Sequence, residues 1–279
     1  MNTPELPHLE IVQLDALLVH EWHDDQRTPP LVKRIANSGV FRNPPIVTPT
    51  LDRTQRYVVL DGANRTAALT RMGFPHILVQ IVQPEDPGLR LRTWNHILLS
   101  LPTGHLIARL KAAPNLDIVS SEDEKIDLPS QREAGVAIIQ TPDEKVYALS
   151  TSIVSLEGRI TALNCLVNAY KSIARMDRTS LNEVKQLLHL YPGLCALVIF
   201  PKFNITELIQ LAQVGCLLPT GITRTTITPR ALYVNLPLDY LSNSAPLDEK
   251  NVALEALLQK RMAQGKIVYQ AEATVMFDE

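Results

Sequence analysis

Hydrophobic residues along the chain fall into short runs separated by glycine and proline, and two spacings recur among them. Continuous apolar runs of about four to eight residues, rich in valine and isoleucine, are typical of buried β-strands. The predicted strands cover residues 9–19, 46–48, 57–60, 76–83, 136–139, 146–149, 194–200, 231–236 and 266–277. The turn Thr-Pro-Asp-Glu joins 136–139 to 146–149, which predicts a β-hairpin.

Apolar positions spaced by three or four residues predict helices that alternate with these strands. Thr28 and Pro29 favour a helix start, and Gly39 favours a left-handed helix end. Ser180 and Asn204 each precede a glutamate by three residues, which is the spacing of a capping box. The predicted helices cover residues 30–38, 89–101, 156–174, 180–189, 204–214 and 248–264, with a further helix between Gly62 and Gly73.

The composition excludes several classes of protein. Among 279 residues, 27 Lys and Arg stand against 29 Asp and Glu, so the net charge of −2 gives no global field that would attract nucleic acid. No apolar run approaches the about 20 residues that span a bilayer, and residues 1–10 do not have the pattern of a signal peptide. Three distant cysteines predict neither a disulfide framework nor a Cys-x-x-Cys site, so we expect a reduced, cytoplasmic setting.

The most informative segment runs from Tyr57 to Leu69. A β-branched run stops at Asp61 and Gly62, and a helix of small residues begins beside Arg65. Amides and the positive dipole end at a helix N-terminus attract phosphate oxygens, and a guanidinium group pairs with phosphate in bidentate fashion. Asp61 could accept a proton or help to hold a metal ion. An ordinary strand–turn–helix with a capping aspartate is the alternative, and the spacing leaves both interpretations open.

A second polar cluster covers residues 20–25, His-Glu-Trp-His-Asp-Asp. Glu21, beside Trp22, could be a general base or position a substrate amine. His20 and His23 have the spacing of metal ligands but lack a third ligand, which makes a metal site a weak hypothesis. A solvated loop is the alternative for the whole cluster.

Two further segments carry candidate binding residues. Residues 218–230 place Arg224 and Arg230 among five threonines and two prolines, which suits phosphate or carboxylate recognition; a threonine-rich edge strand is the alternative. Trp94 and His96 lie on the predicted helix 89–101, where a lone tryptophan is more often part of the core. The P-loop, dinucleotide-binding, zinc-protease and nucleophile-elbow motifs are all absent from the sequence.

Taken in order, these segments resemble the free L-serine kinases of the ParB/sulfiredoxin fold. Residues 60–69, Leu-Asp-Gly-Ala-Asn-Arg-Thr-Ala-Ala-Leu, resemble the phosphate-binding turn of that fold. His20-Glu21 resembles the kinases' catalytic glutamate corner, and 43–47, Asn-Pro-Pro-Ile-Val, their nucleotide-contacting strand. Residues 93–96 resemble the tryptophan segment near the serine site, and 221–224 with 227–230 the C-terminal Thr-Arg loop. The resemblance spans about residues 9–100 and 200–240.

The resemblance implies an α+β (mixed α/β) chain with two domains. A ParB/sulfiredoxin-like nucleotide-binding domain is expected over 1–110, and a second α/β domain over 111–279 would complete the site, with the acidic stretch 120–127 near the boundary. The implied activity is phosphoryl transfer from ATP or ADP to the hydroxyl of free L-serine, which gives O-phospho-L-serine, with Mg²⁺ bridging the phosphates. The resemblance implies no membrane partner and leaves the oligomeric state open, a homodimer included.

Roles for individual residues follow from the same resemblance. Asp61 would take the hydroxyl proton or bring the hydroxyl close to phosphorus, and Glu21 would orient serine. Mg²⁺ would be held through the phosphates, and Asp61 is the one candidate protein ligand that the resemblance implies. Nucleotide and phosphate contacts are expected from Pro45, Ile46, Val47, Gly62, Ala63, Asn64, Arg65 and Thr66. Serine contacts are expected from Trp94, His96, Thr223, Arg224 and Arg230.

One departure from the family pattern keeps a second interpretation open. The kinases usually carry one or two histidines between Asp-Gly and Arg, where this chain has Ala63 and Asn64. Asn64 can donate a hydrogen bond but carries no charge, so phosphoryl transfer would be slowed or abolished. The alternative is therefore a catalytically weakened regulator that binds a nucleotide or effector and acts on DNA or a partner, although the net charge argues against DNA.

Overall fold

The computed structural model describes residues 6–23, 26–52, 54–120 and 134–270. Its strands are β1 (Leu9–Gln13), β2 (Leu17–Val19), β3 (Val40–Phe41), β4 (Ile46–Pro49), β5 (Tyr57–Asp61), β6 (His76–Ile81), β7 (Arg90–Thr93), β8 (Asn95–Leu99), β9 (Asp117–Ser120), β10 (Gly135–Gln140), β11 (Val146–Ser150), β12 (Arg175–Thr179), β13 (Leu194–Ile199), β14 (Thr223–Thr226) and β15 (Leu236–Pro237). Its helices are α1 (Thr28–Ser38), α2 (Ala63–Arg71), α3 (Thr103–Lys111), α4 (Leu156–Tyr170), α5 (Ile205–Gln213), α6 (Asp239–Ser242) and α7 (Leu247–Ala263). The expected mixed α/β class is confirmed.

The first sheet is mixed, with five strands in the order β1-β6-β4-β5-β2. Strand β2 runs parallel to β5 and β4 runs parallel to β6, whereas the β1–β6 and β4–β5 pairs are antiparallel. All six residues of β6 are buried; the strand lies between β1 and β4, and α6 packs against it. The carboxyl ends of the parallel pair β2 and β5 lie at the same edge of the sheet, and this edge places Glu21 and Asp61 near each other.

The second sheet is antiparallel, with six strands in the order β12-β8-β13-β10-β11-β9. Helix α4 packs against this sheet through a wide apolar face, which explains why eight of its residues are buried. The predicted hairpin is confirmed as β10 and β11. The predicted domain boundary at residue 110 stays a prediction; β8 already belongs to the second sheet.

The C-terminal segment returns to the first sheet. Strand β15 pairs with β3, and α7 lies along β1. The side chain of Asn251 on α7 accepts a hydrogen bond from the Ile11 amide at 2.8 Å and donates one to the Ile11 carbonyl at 2.9 Å. The helix predicted at 248–264 is confirmed as α7 and covers the free edge of β1, but its apolar residues are not gathered on one face as the sequence pattern predicted. In the described part of the chain, none of the helices is both long and apolar enough to cross a membrane.

The helix predicted over residues 89–101 is wrong, because this segment forms β7 and β8. Side chains of β7 alternate between exposed and partly buried positions, as in a strand with one covered face. Strand β8 is buried at every position between β12 and β13. Polar residues at 90, 92, 93, 95, 96 and 100 interrupt this segment, so its apolar positions fit neither period along its whole length, which is why the sequence was ambiguous here.

Four other predicted elements differ from the structure. The strand predicted at 9–19 is divided by the 3₁₀ turn Leu14–Ala16 into β1 and β2, which lie at opposite edges of the first sheet. The helix at 180–189 is reduced to a 3₁₀ turn, Val184–Gln186, and the capping box at Ser180 does not form. The strand at 231–236 is limited to β15, because Tyr233 and Asn235 have left-handed φ values of 53° and 47°. Residues 266–270 form no strand, and the remainder of the strand predicted at 266–277 lies outside the described residues. The acidic stretch 120–127 lies outside them too, except for Ser120.

His96 on β8, an expected substrate contact, is instead part of the core of the second sheet. It is 2% exposed, and its Nδ1 lies 2.9 Å from the Tyr170 hydroxyl. The ring packs edge-to-face against Phe200, with 4.8 Å between the ring centres. Burial, followed by the positive charge of Arg178, lowers the pKa of His96 to about 3, so the imidazole is neutral in the folded protein at neutral pH.

The lowered pKa of His96 predicts a loss of stability in acid. Below the ordinary histidine pKa of 6.5, the unfolded chain binds a proton that the folded chain does not accept until about pH 3. As the pH falls below 6.5, the free energy of unfolding should therefore decrease by about 1.4 kcal/mol per pH unit, or about 2 kcal/mol between pH 7.5 and 5.0. Urea unfolding of wild type and His96→Gln measures this difference, because glutamine does not titrate. His105→Gln, on an exposed position, is the control, and an identical pH dependence in His96→Gln would contradict the prediction.

Candidate active site

The two polar segments and the Thr-Arg segment identified in the sequence meet around one cavity of about 380 Å³. The cavity lies at the edge of the first sheet where β2 and β5 end, and β14 forms another wall. Its lining residues are Glu21, Trp22, His23, Arg27, Leu60, Asp61, Gly62, Ala63, Asn64, Arg65, Trp94, Arg178, Thr220, Gly221, Thr223, Arg224 and Thr225. Segments about 200 residues apart in sequence therefore contribute to one site.

The Asp-Gly corner has the geometry of an anion-binding turn. Strand β5 ends at Asp61, Gly62 adopts φ 106°, and α2 begins at once. A Cβ on Gly62 would lie 2.8 Å from Arg65 Nη2 and 3.0 Å from Pro45 Cβ, so both conformation and space require glycine. The amides of Ala63 and Asn64 precede Arg65, whose amide is the first to donate to the Gly62 carbonyl, and they lie at the positive end of the helix dipole, beside the cavity.

Two guanidinium groups hold the Asp61 carboxylate. Arg65 Nη2 donates to Asp61 Oδ2 at 2.6 Å, and Arg230 Nη2 donates to the same oxygen at 3.4 Å. Arg230 also donates to the Pro44 carbonyl at 2.6 Å and to Gln80 Oε1 at 3.0 Å. Burial, and then the charge of Arg65, lower the pKa of Arg230 to about 10, which leaves it charged at neutral pH. Arg230 supports Asp61 and does not line the cavity.

Glu21 is held by residues 218–223, which follow it by about 200 positions in the sequence. Two backbone hydrogen bonds connect residues 20–22 to Leu218. The Leu218 amide donates to the His20 carbonyl at 2.8 Å, and the Trp22 amide donates to the Leu218 carbonyl at 3.0 Å. Glu21 Oε2 accepts hydrogen bonds from the Thr223 hydroxyl at 3.0 Å and from the Gly221 amide at 3.3 Å. One carboxylate oxygen is therefore fixed by neutral donors.

The threonine-rich segment forms the edge strand β14 and also lines the cavity, so the two sequence interpretations describe the same feature. β14 pairs with β7, and Trp94 N donates to the Ile222 carbonyl at 2.7 Å. The Arg224 guanidinium lies over the Trp94 ring, 4.3 Å from its centre, in a cation–π contact. Thr223, Arg224 and Trp94 thus form one continuous wall of the cavity.

Several predicted site residues lie behind the cavity. Ile46, Val47 and Thr66 are buried, and Pro45 contacts the corner only from below Gly62. His20 is buried and bonds to Val59 and Thr223, so it is not available as a metal ligand. Among the described residues, no group of three His, Cys, Asp or Glu side chains is arranged to hold a metal ion.

The sequence reasoning missed Arg178, which enters the cavity from β12. Its guanidinium occupies the space that a Cβ on Gly221 would fill, and Gly221 has φ 75°. Arg27, in the turn before α1, was missed as well. Neither arginine stands in a motif, so the sequence offers no signal for them. Among the described residues, four arginines and two carboxylates line the cavity, so these side chains carry a net positive charge in a chain of net charge −2.

The chain is similar in sequence to proteins named ATP-dependent L-serine kinase. It is 34% identical to one from Staphylothermus marinus over 89 residues, 31% of this chain and 35% of the relative. It is 22% identical to SbnI of Staphylococcus aureus over 245 residues, 87% of each chain. The matches to S. marinus and Desulfurococcus mucosus span about a third of those relatives. No family model matches the chain.

Solved structures share the fold. A C-terminally truncated SbnI from S. aureus superposes with a TM-score of 0.71 at 19% identity, covering 91% of this chain and 97% of the other. A mutant free serine kinase in complex with ADP gives 0.70 at 17% identity, covering 86% and 95%. The chain therefore has the fold of the free serine kinase structures and is similar in sequence to proteins named ATP-dependent L-serine kinase.

Proposed function

We propose that this protein transfers a phosphoryl group from ATP to the hydroxyl of free L-serine and produces O-phospho-L-serine. The observation that carries the proposal is the pairing, in one cavity, of an anion-binding turn at Asp61–Arg65 with a second carboxylate and a Thr-Arg wall. The relatives named ATP-dependent L-serine kinase support the substrate and the donor.

The turn at the start of α2 would hold the nucleotide phosphates. The amides of Ala63 and Asn64 lie at the helix N-terminus, where phosphate oxygens would bind, and the Arg65 guanidinium supplies a positive charge. Phosphoryl transfer depends mainly on positioning and charge neutralisation, so Asn64 need not carry charge where three further arginines line the same cavity. This arrangement supports turnover despite the missing histidines.

The wall formed by Thr223, Arg224 and Trp94 would hold the amino acid. Arg224, fixed over the Trp94 ring, and Arg178, packed against Gly221, both present guanidinium groups that suit a carboxylate or the product phosphate. Small hydroxyl-bearing residues on this wall leave room for a polar substrate. We propose Arg178 as an additional substrate-binding residue.

Glu21 is the better proton acceptor of the two carboxylates. Asp61 is paired with two guanidinium groups that stabilise its negative charge, whereas Glu21 receives only a hydroxyl and an amide. In the proposed step, Glu21 takes the hydroxyl proton while the hydroxyl oxygen attacks the γ-phosphorus and ADP leaves. This refines the sequence-based expectation, which gave the proton to Asp61 and serine orientation to Glu21.

The donor set around Asp61 fits a magnesium ion that arrives with the nucleotide. Mg²⁺ is commonly bound by one or two carboxylates together with substrate phosphates. Both guanidinium bonds go to Asp61 Oδ2, which leaves Oδ1 for another ligand, and the side chain is 44% exposed. When bound, Mg²⁺ would neutralise phosphate charge.

Replacing each carboxylate separately tests these roles. Glu21→Gln should lower kcat by about 10²–10⁴-fold with nucleotide affinity retained, because it removes a general base. Asp61→Asn should abolish turnover and weaken binding of the Mg²⁺–nucleotide, with the fold intact. ³¹P NMR with Mg²⁺, L-serine and ATP or ADP measures O-phosphoserine, and calorimetry measures nucleotide binding. Glu255→Gln on the exposed face of α7 is the control.

The outcomes of this experiment separate the candidate functions. A phosphomonoester signal that matches added O-phospho-L-serine establishes the kinase and identifies its donor. Unchanged turnover in Asp61→Asn would contradict the assigned site. Nucleotide binding without product from either donor would favour the regulator, and a salt-dependent shift of DNA would then support it.

Gly221→Ala tests the role of Arg178. The added Cβ would overlap the Arg178 guanidinium, so the KM for serine should rise at least about tenfold, equivalent to about 1.4 kcal/mol. Gly193→Ala is a matched control, because Gly193 has a similar φ of 80° but open space around its Cβ position. Steady-state kinetics with varied serine measures the change. Equal KM values in both variants would show that Arg178 does not bind the substrate.

A further inference from the structure

His20 lies behind Glu21 and has both ring nitrogens in hydrogen bonds. It is 2% exposed, its Nδ1 lies 2.6 Å from the Val59 carbonyl, and its Nε2 lies 2.8 Å from Thr223 Oγ1. The same Thr223 oxygen lies 3.0 Å from Glu21 Oε2. A chain of three side chains therefore connects a buried imidazole to the carboxylate at the cavity wall.

Two arrangements of the protons make both contacts of the Thr223 hydroxyl hydrogen bonds. The Val59 carbonyl can only accept, so Nδ1 carries a proton in either state. The Thr223 hydroxyl has one proton but two neighbours that could accept it, His20 Nε2 and Glu21 Oε2. In the first, His20 is neutral, Thr223 donates to Nε2, and Thr223 accepts a hydrogen bond from protonated Glu21. In the second, His20 is an imidazolium, Nε2 donates to Thr223, and Thr223 donates to the Glu21 carboxylate.

The two arrangements favour opposite states of Glu21. With neutral His20, the chain runs from Glu21 towards His20 and stabilises the protonated acid. With charged His20, the chain runs the other way and stabilises the carboxylate through a donated hydrogen bond and the nearby positive charge. We propose that His20 is a positioning residue whose ionisation, transmitted by Thr223, sets the proton affinity of Glu21.

This inference rests on the proposed function, in which Glu21 takes the proton of the acceptor hydroxyl. In that step the oxygen–hydrogen bond of the hydroxyl breaks, the proton goes to Glu21, and the oxygen electron pair forms the bond to phosphorus. Neutral His20 favours the step because it orients Thr223 to accept a hydrogen bond from protonated Glu21. Activity should therefore decline at acid pH as His20 becomes protonated.

Other charged groups also lie near Glu21. His23 and Arg27 follow Glu21 in the chain, Asp61 and Arg65 come from β5 and α2, and Arg178 and Arg224 from β12 and β14. Helix α5, which also packs against β2, carries Glu207 as its single titratable side chain, and that carboxylate closes its own capping box with Asn204. The two ring nitrogens of His20 bond to the Val59 carbonyl and to Thr223, so Thr223 is the side chain through which Glu21 and His20 interact.

The test follows the His20 ring by NMR through a pH titration. Comparison with the His20→Gln spectrum identifies its signals, and the exposed His105 is the internal control. Thr223→Val and Glu21→Gln should each lower the His20 midpoint, because the charged imidazole loses its connection to the carboxylate. Thr223→Ser retains the hydroxyl and should keep the wild-type midpoint, and the midpoint of His105 should not move.

Kinetics links the chain to catalysis. In wild type and Thr223→Ser, the acid limb of kcat against pH should coincide with the His20 midpoint; in Thr223→Val the two should separate. An unchanged His20 midpoint in Thr223→Val and Glu21→Gln would overturn the proposal. If wild type makes no O-phosphoserine, the proposed function fails, and the NMR titration, which needs no turnover, still decides whether the chain exists.

Discussion

The backbone hydrogen bonds between residues 20–22 and Leu218 are the contact on which the candidate site depends. They connect the end of β2 to a segment about 200 residues later and so bring the Thr-Arg strand against the Glu21 corner. β14 then extends this contact by pairing with β7, which fixes Trp94 beside Arg224. Without these bonds, the turn at Asp61–Arg65 would still form, because local conformation alone determines it, but the cavity would lack the wall that holds Glu21. The anion-binding half of the site is thus local in sequence, and the other half depends on tertiary pairing.

That division explains how much could be predicted from the sequence. Asp61, Gly62 and Arg65 stand in one short motif whose spacing specifies a strand, a left-handed glycine and a helix start, and the structure has this geometry. The cavity contacts of Glu21, Trp94, Thr223 and Arg224 could be expected only from the ordered resemblance, since no local pattern places them together. Arg178 was missed because β12 has mostly exposed residues and no motif, so the sequence does not indicate that this side chain reaches the cavity. His96 was misplaced because the buried strand β8 has the apolar density of a helix, and its core position follows from its neighbours β12 and β13.

The net charge of the whole chain does not indicate the charge around the cavity. A net charge of −2 gives no reason to expect an anion site, yet four arginines line one cavity. Their charge is balanced in part by Asp61, which two guanidinium groups share, while Glu21 is kept away from such pairing. Two carboxylates in one cavity therefore experience different environments, which is the usual basis for giving them different chemical roles.

The contact between Asn251 and Ile11 has a consequence for association between molecules. β1 is the outer strand of the first sheet, and such a strand offers unpaired amides and carbonyls to any other extended chain. The carboxamide of Asn251 occupies both backbone groups of Ile11, as a neighbouring strand would, while α7 covers the same edge. One asparagine on a helix thus terminates the hydrogen-bond ladder of the sheet and protects β1 against edge-to-edge aggregation at that residue.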